Sequence, residues 1–289
     1  MDVIEVQNLV KYFGKTKAVD GISFQVEKGE IFGFLGPNGA GKTTTIRCMM
    51  DFIRPMDGRI IILGKDAQKN SVELKSKIGY LSDTIHLYGE WTGEMHIEFM
   101  AQSKRQKDIT EALIKRLDFN PTKKTKKLSS GNRQKLGLIM ALMHEPEVLI
   151  FDEPTASLDP LLQNTVYELF EEARTKGTTI FMSSHNLNEV ERICTRIGII
   201  KEGKIVAIES VEKLKQKKIY SVQIFSQKPL EKERLVGDGV EITKELSRGV
   251  ILTVRGDINP LIEKLNGLSI EDIEIKHASL EEIFLEYYK

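Results

Sequence analysis

The chain has 289 residues, 40% of them hydrophobic, and its 42 Lys and Arg balance 42 Asp and Glu for a formal net charge of zero. That supplies a full core for one large domain, or one large and one small, and argues against a broad nucleic-acid-binding face. The two cysteines, Cys48 and Cys194, form no C-x-x-C pair, which fits a reducing compartment and gives no metal signal; no apolar run approaches the ~20 residues of a membrane span, and no signal peptide is expected at the N-terminus.

In chain order, residues 3–6 and 18–26 read as strands, the second closed by Glu27-Lys28-Gly29. Between them, Tyr12 and Phe13 precede a Gly turn. A strand-like run over residues 30–35 then enters Gly36-Pro37-Asn38-Gly39-Ala40-Gly41-Lys42-Thr43-Thr44, and a helix-compatible run follows to residue 52. The spacing G-x-x-x-x-G-K-[S/T], between strand and helix, is that of a phosphate-binding loop. Glycines let backbone N–H groups wrap an anion, and the helix N-terminus adds partial positive charge. Lys42 is placed to reach the β- and γ-phosphates, and the Thr43 hydroxyl to ligate Mg²⁺.

Beyond the turn at Asp57-Gly58, strands are expected over residues 59–63 and 78–81. Helical periodicity runs from 90 to 117, with Trp91, Met95, Phe99, Leu113 and Leu117 among its apolar positions. Together with a Ser-initiated helix over residues 128–145 it forms a helical insertion, about residues 84–145, within an α/β alternation. The basic run Lys123-Lys124-Thr125-Lys126-Lys127 reads as a solvated loop, with lipid headgroups or nucleic acid as its alternative partners. Residues 147–151 make a buried strand ending in Asp152-Glu153. A carboxylate there can hold Mg²⁺, and Glu153 is suited to polarise an attacking water. A helix over 160–176, a strand over 178–182 ending in Ser183-Ser184-His185, a helix over 186–194 and a hairpin around Glu202-Gly203 complete this part. The Lys- and Gln-rich stretch 213–218 marks a boundary. Strands over 220–226, 240–246, 249–255 and 270–276, with helices between the first two and over 259–265 and 280–288, suggest a small α+β domain of ferredoxin-like order.

Leu128-Ser129-Ser130-Gly131-Asn132 lies upstream of Asp152-Glu153, and Ser157-Leu158-Asp159 and then His185 follow it. On the order and spacing of these five motifs, the stretch from about 3 to 215 resembles the ATP-binding subunit of an ABC transporter. The resemblance implies a P-loop NTPase fold with an antiparallel β subdomain and the helical insertion, over residues 1–215, followed by the small domain over 219–289. It implies ATP and Mg²⁺ as ligands. Residues 36–44 match the Walker A loop, with Gly36, Asn38, Gly39, Ala40, Gly41, Lys42, Thr43 and Thr44 on the nucleotide. Residues 148–153 match Walker B, with Asp152 at the metal and Glu153 at the catalytic glutamate. Ser129, Ser130, Gly131 and Asn132 match the signature that serves a partner's nucleotide, Asp159 the D-loop, and His185 the switch histidine. Phe13 falls at the aromatic that stacks on adenine, with Tyr12 its neighbouring candidate.

The signature departs from the family's usual L-S-G-G-Q at Ser130 and Asn132, and Asp83 stands where a metal-sensing glutamine is usual. Residues 279–284 resemble the tail of multidrug or ABC-2-type exporter ATPases. The resemblance further implies head-to-tail pairing, as a homodimer or with a second ABC ATPase, and an integral membrane permease met by the insertion around Trp91. The subunit is expected in the cytoplasm, on the inner face of the cell membrane, without nucleic acid. The alternative is an ABC ATPase acting on a soluble or nucleic-acid complex.

Overall fold

The computed structural model describes residues 2–102, 109–216, 219–226, 230, 232–237 and 239–277. The chain divides into two compact units, Met1–Glu209 and Ser210–Lys289. In chain order the first contains β1 (Asp2–Phe13), β2 (Thr16–Glu27), β3 (Ile31–Leu35), α1 (Lys42–Met49), β4 (Asp57–Ile62), β5 (Lys65–Asp66), α2 (Ser71–Lys77), β6 (Ile78–Leu81), α3 (Gly93–Gln102) and α4 (Thr110–Arg116). It continues through a 3₁₀ turn (Thr125–Lys127), α5 (Ser130–Leu142), β7 (Val148–Asp152), α6 (Pro160–Thr175), β8 (Thr179–Ser184), α7 (Leu187–Ile193), β9 (Arg196–Lys201) and β10 (Lys204–Ser210).

Two sheets build this unit. One is four-stranded, in the order β2-β1-β4-β5; the other is six-stranded, in the order β10-β9-β3-β8-β7-β6. The β9-β3-β8-β7-β6 part is parallel. Every residue of β3, β7 and β8 is buried, as strands covered on both faces must be. An aromatic cluster joins the sheets: Phe24 of β2 stacks on Phe32, Phe34 and Phe181 at centroid distances of 5.7, 5.4 and 5.7 Å. Such pairs add about 0.5–1.5 kcal/mol each beyond area burial.

The register decides what meets at the sheet's edge. Leu35 of β3 lies opposite Ser184 of β8, and Asp152 of β7 lies opposite Ser183. With β8 between β3 and β7, all three strands end at one level. Ligands of parallel α/β sheets bind outside those carboxyl ends.

The helical part starts later than its periodicity suggests. Thr92 accepts the Met95 N–H at 3.2 Å, so the helix begins at Gly93 and Trp91 stays ahead of it, packed on Tyr88 and Phe99. A threonine hydroxyl that satisfies an orphan N–H fixes a helix start more strongly than apolar spacing does. The basic run is partly neutralised, because Lys124 and Lys126 both reach Glu90, at 3.0 and 2.6 Å.

The second unit contains α8 (Val211–Lys215), β11 (Ile219–Ser226), α9 (Lys232–Leu235), β12 (Val240–Leu246), β13 (Gly249–Arg255), α10 (Asn259–Leu265) and β14 (Ile270–His277). Its sheet runs β12-β13-β11-β14, antiparallel throughout. The βαββαβ order from β11 to β14 is that of a ferredoxin-like unit. Val222, Ile224, Leu252 and Val254 form the core with Leu235 of α9 and Leu261 of α10. The division at Glu209 and Ser210 precedes the Lys-rich stretch, since Ser210 already caps α8 by accepting the Lys213 N–H at 3.1 Å. The tail motif 279–284 and the expected helix 280–288 lie outside the described residues.

Candidate functional site

The loop after β3 has the shape that its glycines allow. A Cβ on Gly36 would fall 2.5 Å from the Ile200 carbonyl oxygen. Gly41 has φ +112°, and a Cβ there would fall 2.3 Å from the Ala18 carbonyl oxygen. Both neighbours are backbone and cannot yield, so these positions accept glycine alone. Gly41 leads into α1, whose first residue is Lys42. The Lys42 ammonium donates to the carbonyls of Gly36 (2.6 Å) and Pro37 (3.3 Å) and lies 3.6 Å from Glu153 Oε1.

Across the sheet edge, β7 and β8 contribute the acidic side. Asp152 is buried, and its Oδ1 accepts the Ser183 hydroxyl at 2.5 Å. The same Ser183 oxygen accepts the Glu153 N–H at 3.1 Å. Burial pushes the Asp152 carboxyl above the usual carboxylate range, the Ser183 and Thr43 hydroxyls pull it back, and the charges of Asp83 and Glu153 push it up again. Glu153 has φ +54°, a left-handed conformation that costs a non-glycine residue about 1 kcal/mol or more. Its two oxygens are divided between partners: Oε1 faces Lys42, and Oε2 meets His185 Nδ1 at 2.9 Å. Lys42, Thr43, Asp83, Asp152, Glu153 and His185 share the wall of one cleft of about 410 Å³, with Asn38, Gly39, Gly41 and Thr44 on its floor.

The donor set fits Mg²⁺. Asp152 Oδ2 is buried with no hydrogen-bond partner among the described residues, an arrangement that calls for a cation. The Thr43 hydroxyl and Asp83 share the cleft with it. Among the described residues no group of three or more His, Cys, Asp or Glu could hold a metal. A sparse oxygen set is what an ion that keeps waters and substrate phosphates requires.

The remaining predicted residues are not on the wall of this cleft. Phe13 is exposed, pairs across its hairpin with Thr16 on the cleft wall, and has the Lys11 ammonium 5.3 Å from its ring centre. Tyr12 is engaged elsewhere: its hydroxyl donates to Asp20, and Lys17 lies 5.4 Å from its ring centre. The geometry therefore favours Phe13 over Tyr12 as an open stacking face. Asp83 also lines a second cleft, with Arg47, Phe52 and Tyr80. Ser129 caps α5 through the Asn132 N–H at 3.3 Å. Ser129, Ser130, Gly131 and Asn132 are absent from the wall of the 410 Å³ cleft, and Gly131 packs against the Ser157 carbonyl. Asp159 caps α6 by accepting the N–H groups of Leu161 (3.1 Å) and Leu162 (3.0 Å).

Sequence reasoning missed Gln134 and Glu189, and it noted Ser183 only as part of a strand end. Gln134 is buried in α5 and donates to the carbonyls of Glu153 (3.3 Å) and Pro154 (2.7 Å). It links α5 to the loop that follows β7. Gln134 stands between Arg133 and Lys135, and Glu189 follows Asn188, so each reads as a solvated helix residue; only the fold shows what they meet.

A family model described as ABC transporter matches residues 19–156. An ABC transporter ATP-binding protein of Methanocaldococcus jannaschii is 38% identical, covering 86% of this chain and 93% of its own. The bacitracin transport ATP-binding protein BcrA of Bacillus licheniformis is 34% identical, with 98% and 96% covered. Among solved structures, the ATP-binding subunit of an ABC transporter superposes with a TM-score of 0.69 at 27% identity, covering 74% of this chain and 92% of that one.

Proposed function

The chain belongs to the ABC transporter family of ATP-binding proteins, and from that premise we propose that it drives a membrane exporter by pairing head to tail with a second ATP-binding subunit. As a member of that family it is an ATPase. The observation that carries the site reading is the convergence of Lys42, Asp152, Glu153 and His185 on one sheet edge, set by the register of β3, β8 and β7.

In this reading the backbone N–H groups from Gly39 to Thr44 and the start of α1 cradle the phosphates. Lys42 leaves the Gly36 and Pro37 carbonyls for the phosphate oxygens. Thr43 and Asp152, with Asp83 beside them, would hold Mg²⁺, which when bound would offset the negative charge of the phosphates. Glu153 accepts a proton from the attacking water, and His185 orients the Glu153 carboxylate through Oε2. Phosphoryl transfer asks little more of a protein than such positioning and charge. Phe13 stacks on the adenine.

Pairing is supported by the exposure of Ser129 and Ser130 and their absence from the chain's own cleft. A partner's signature helix then completes the shell of the γ-phosphate from the far side, and hydrolysis dissolves the bridge. Among the described residues no helix is long and apolar enough to cross a membrane. In this reading a permease supplies the spans and meets the helical part at the inner membrane face. Transport is supported by the likeness to the bacitracin transport protein BcrA over almost the whole of both chains, and export by the resemblance of the sequence 279–284 to the tails of exporter ATPases.

The test is purification of the tagged full chain from detergent-solubilised membranes. Co-elution of a multi-span membrane protein is expected, with ATPase activity that Glu153→Gln abolishes. Co-sedimentation with ribosomes or DNA in its place would overturn the transport reading.

A further inference from the structure

Glu189 is a buried carboxylate that the reaction above does not use. It stands in the first turn of α7 and is only 2% exposed. Its Oε1 accepts the Thr155 hydroxyl at 2.6 Å and its Oε2 the Ser184 hydroxyl at 2.7 Å. Thr155 stands two residues after Glu153, and Ser184 immediately precedes His185. Glu189 therefore spans, through one side chain, the two backbone segments that carry the base and its histidine.

A second brace runs beside it. Ser183 ties the Asp152 carboxylate and the Glu153 N–H to the end of β8 at 2.5 and 3.1 Å. Glu153 needs such support, because its left-handed backbone (φ +54°) persists only where its surroundings hold it. The Ser184 hydroxyl is also fixed from behind: its Oγ accepts the Asn186 N–H at 2.9 Å. Burial pushes the Glu189 carboxyl above the usual range, while Thr155 and Ser184 pull it back. Burying a carboxylate is unfavourable unless it is fully hydrogen-bonded, and here both oxygens are.

We propose that Glu189 is a positioning residue, which sets the separation between the Glu153 loop and the His185 strand end at which the Glu153–His185 contact forms. Thr155 and Ser184 act only as its two anchors. Misplacing a reacting group by about 1 Å lowers a rate up to ~100-fold, so a brace of this kind works on kcat and leaves nucleotide affinity alone. The inference rests on Glu153 as the base.

The experiment is steady-state ATP hydrolysis by the full chain with Mg²⁺. Glu189→Met keeps the volume and removes both acceptors; Thr155→Val removes one donor and keeps the shape. Expected are a fall in kcat of about tenfold or more for Glu189→Met and a smaller fall for Thr155→Val, each with KM within about twofold of the parent. The double variant should be no slower than Glu189→Met, because the threonine acts through the glutamate. A parental kcat in a folded Glu189→Met, or additive losses in the double variant, overturns the proposal. If Glu189→Met does not fold, a parental kcat in Thr155→Val overturns it alone. Glu153→Gln, run in parallel, separates the two levels: a parental rate there removes the assignment of the base, whereas a dead Glu153→Gln beside a fully active Glu189→Met removes only the brace.

Discussion

Lys42→Ala tests the phosphate loop most directly. The Lys42 side chain is 7% exposed, and its ammonium has three oxygens around it, those of Gly36, Pro37 and Glu153 at 2.6, 3.3 and 3.6 Å. Hydrogen bonds to charged groups contribute about 1.5–3 kcal/mol net, and a desolvated ammonium belongs at the upper end. A loss of about 3 kcal/mol corresponds to roughly a 150-fold weaker Kd for ATP. The substitution leaves the fold in place, since alanine suits the first turn of α1 and the loop shape rests on Gly36 and Gly41. Isothermal titration calorimetry with MgATP reads the affinity, and circular dichroism checks the fold. A folded variant that binds ATP within threefold of the parent would refute the reasoning, because the ammonium could not then face the phosphates.

Glu153→Gln keeps ATP affinity, lowers turnover at least ~100-fold as expected for removal of a general base, and elutes as a dimer with MgATP; monomeric elution would argue against the head-to-tail pairing. Phe13→Ala weakens ATP binding by about 1–3 kcal/mol, the range for base stacking on an aromatic ring, whereas Tyr12→Phe leaves it unchanged; equal losses by calorimetry would return Tyr12 to the site. Phe181→Ala, at the centre of the stack with Phe24, Phe32 and Phe34, costs about 3–5 kcal/mol of stability in denaturant titrations. Glu189 carries a pH dependence of known sign. Its folded carboxyl lies above the ordinary 4.5, so the native state holds its proton longer than the unfolded chain and loses stability as pH rises from 4.5 through the folded value. The stability of Glu189→Gln relative to the parent therefore climbs over that window in melts run at successive pH values, and a flat difference would contradict the direction of the shift.

What was legible in the sequence follows from how each feature is encoded. The loop from Gly36 to Thr44 is local: steric demands on consecutive residues write it into the chain. The apolar runs of β3, β7 and β8 are equally local, because burial on both faces leaves no polar position. The extent of β1 was hidden by Gln7 and Asn8, where the strand bulges and Asn8 takes φ +45° while its N–H bonds Ser23. The start of α3 was hidden because capping by Thr92 overrode the apolar spacing that begins at Trp91. Glu189 was the least legible. After Asn186, which caps α7 with its side chain, an acid in the first turn reads as a solvated partner of the helix dipole. Nothing local says that Thr155, 34 residues earlier, closes over it.

The three carboxylates at this sheet edge can be told apart by their free acceptor capacity. Glu189 has a hydroxyl on each oxygen and is buried away from a ligand. Asp152 has one oxygen satisfied by Ser183 and one buried with no hydrogen-bond partner among the described residues, which leaves that oxygen open to a cation. Glu153 is partly exposed and shared between a lysine and a histidine, so its bonds can be exchanged during turnover. The free cleft is therefore loaded with negative charge: Asp83 and Glu153 both push the Asp152 carboxyl upward. A triphosphate alone would add to that load, and the ammonium of Lys42 cannot offset all of it. With Mg²⁺ entering beside the nucleotide, as proposed, affinity would depend on that ion, and the ion would satisfy the buried Asp152 oxygen. Strain at Glu153 and unmet demand at Asp152 therefore lie where binding can relieve them.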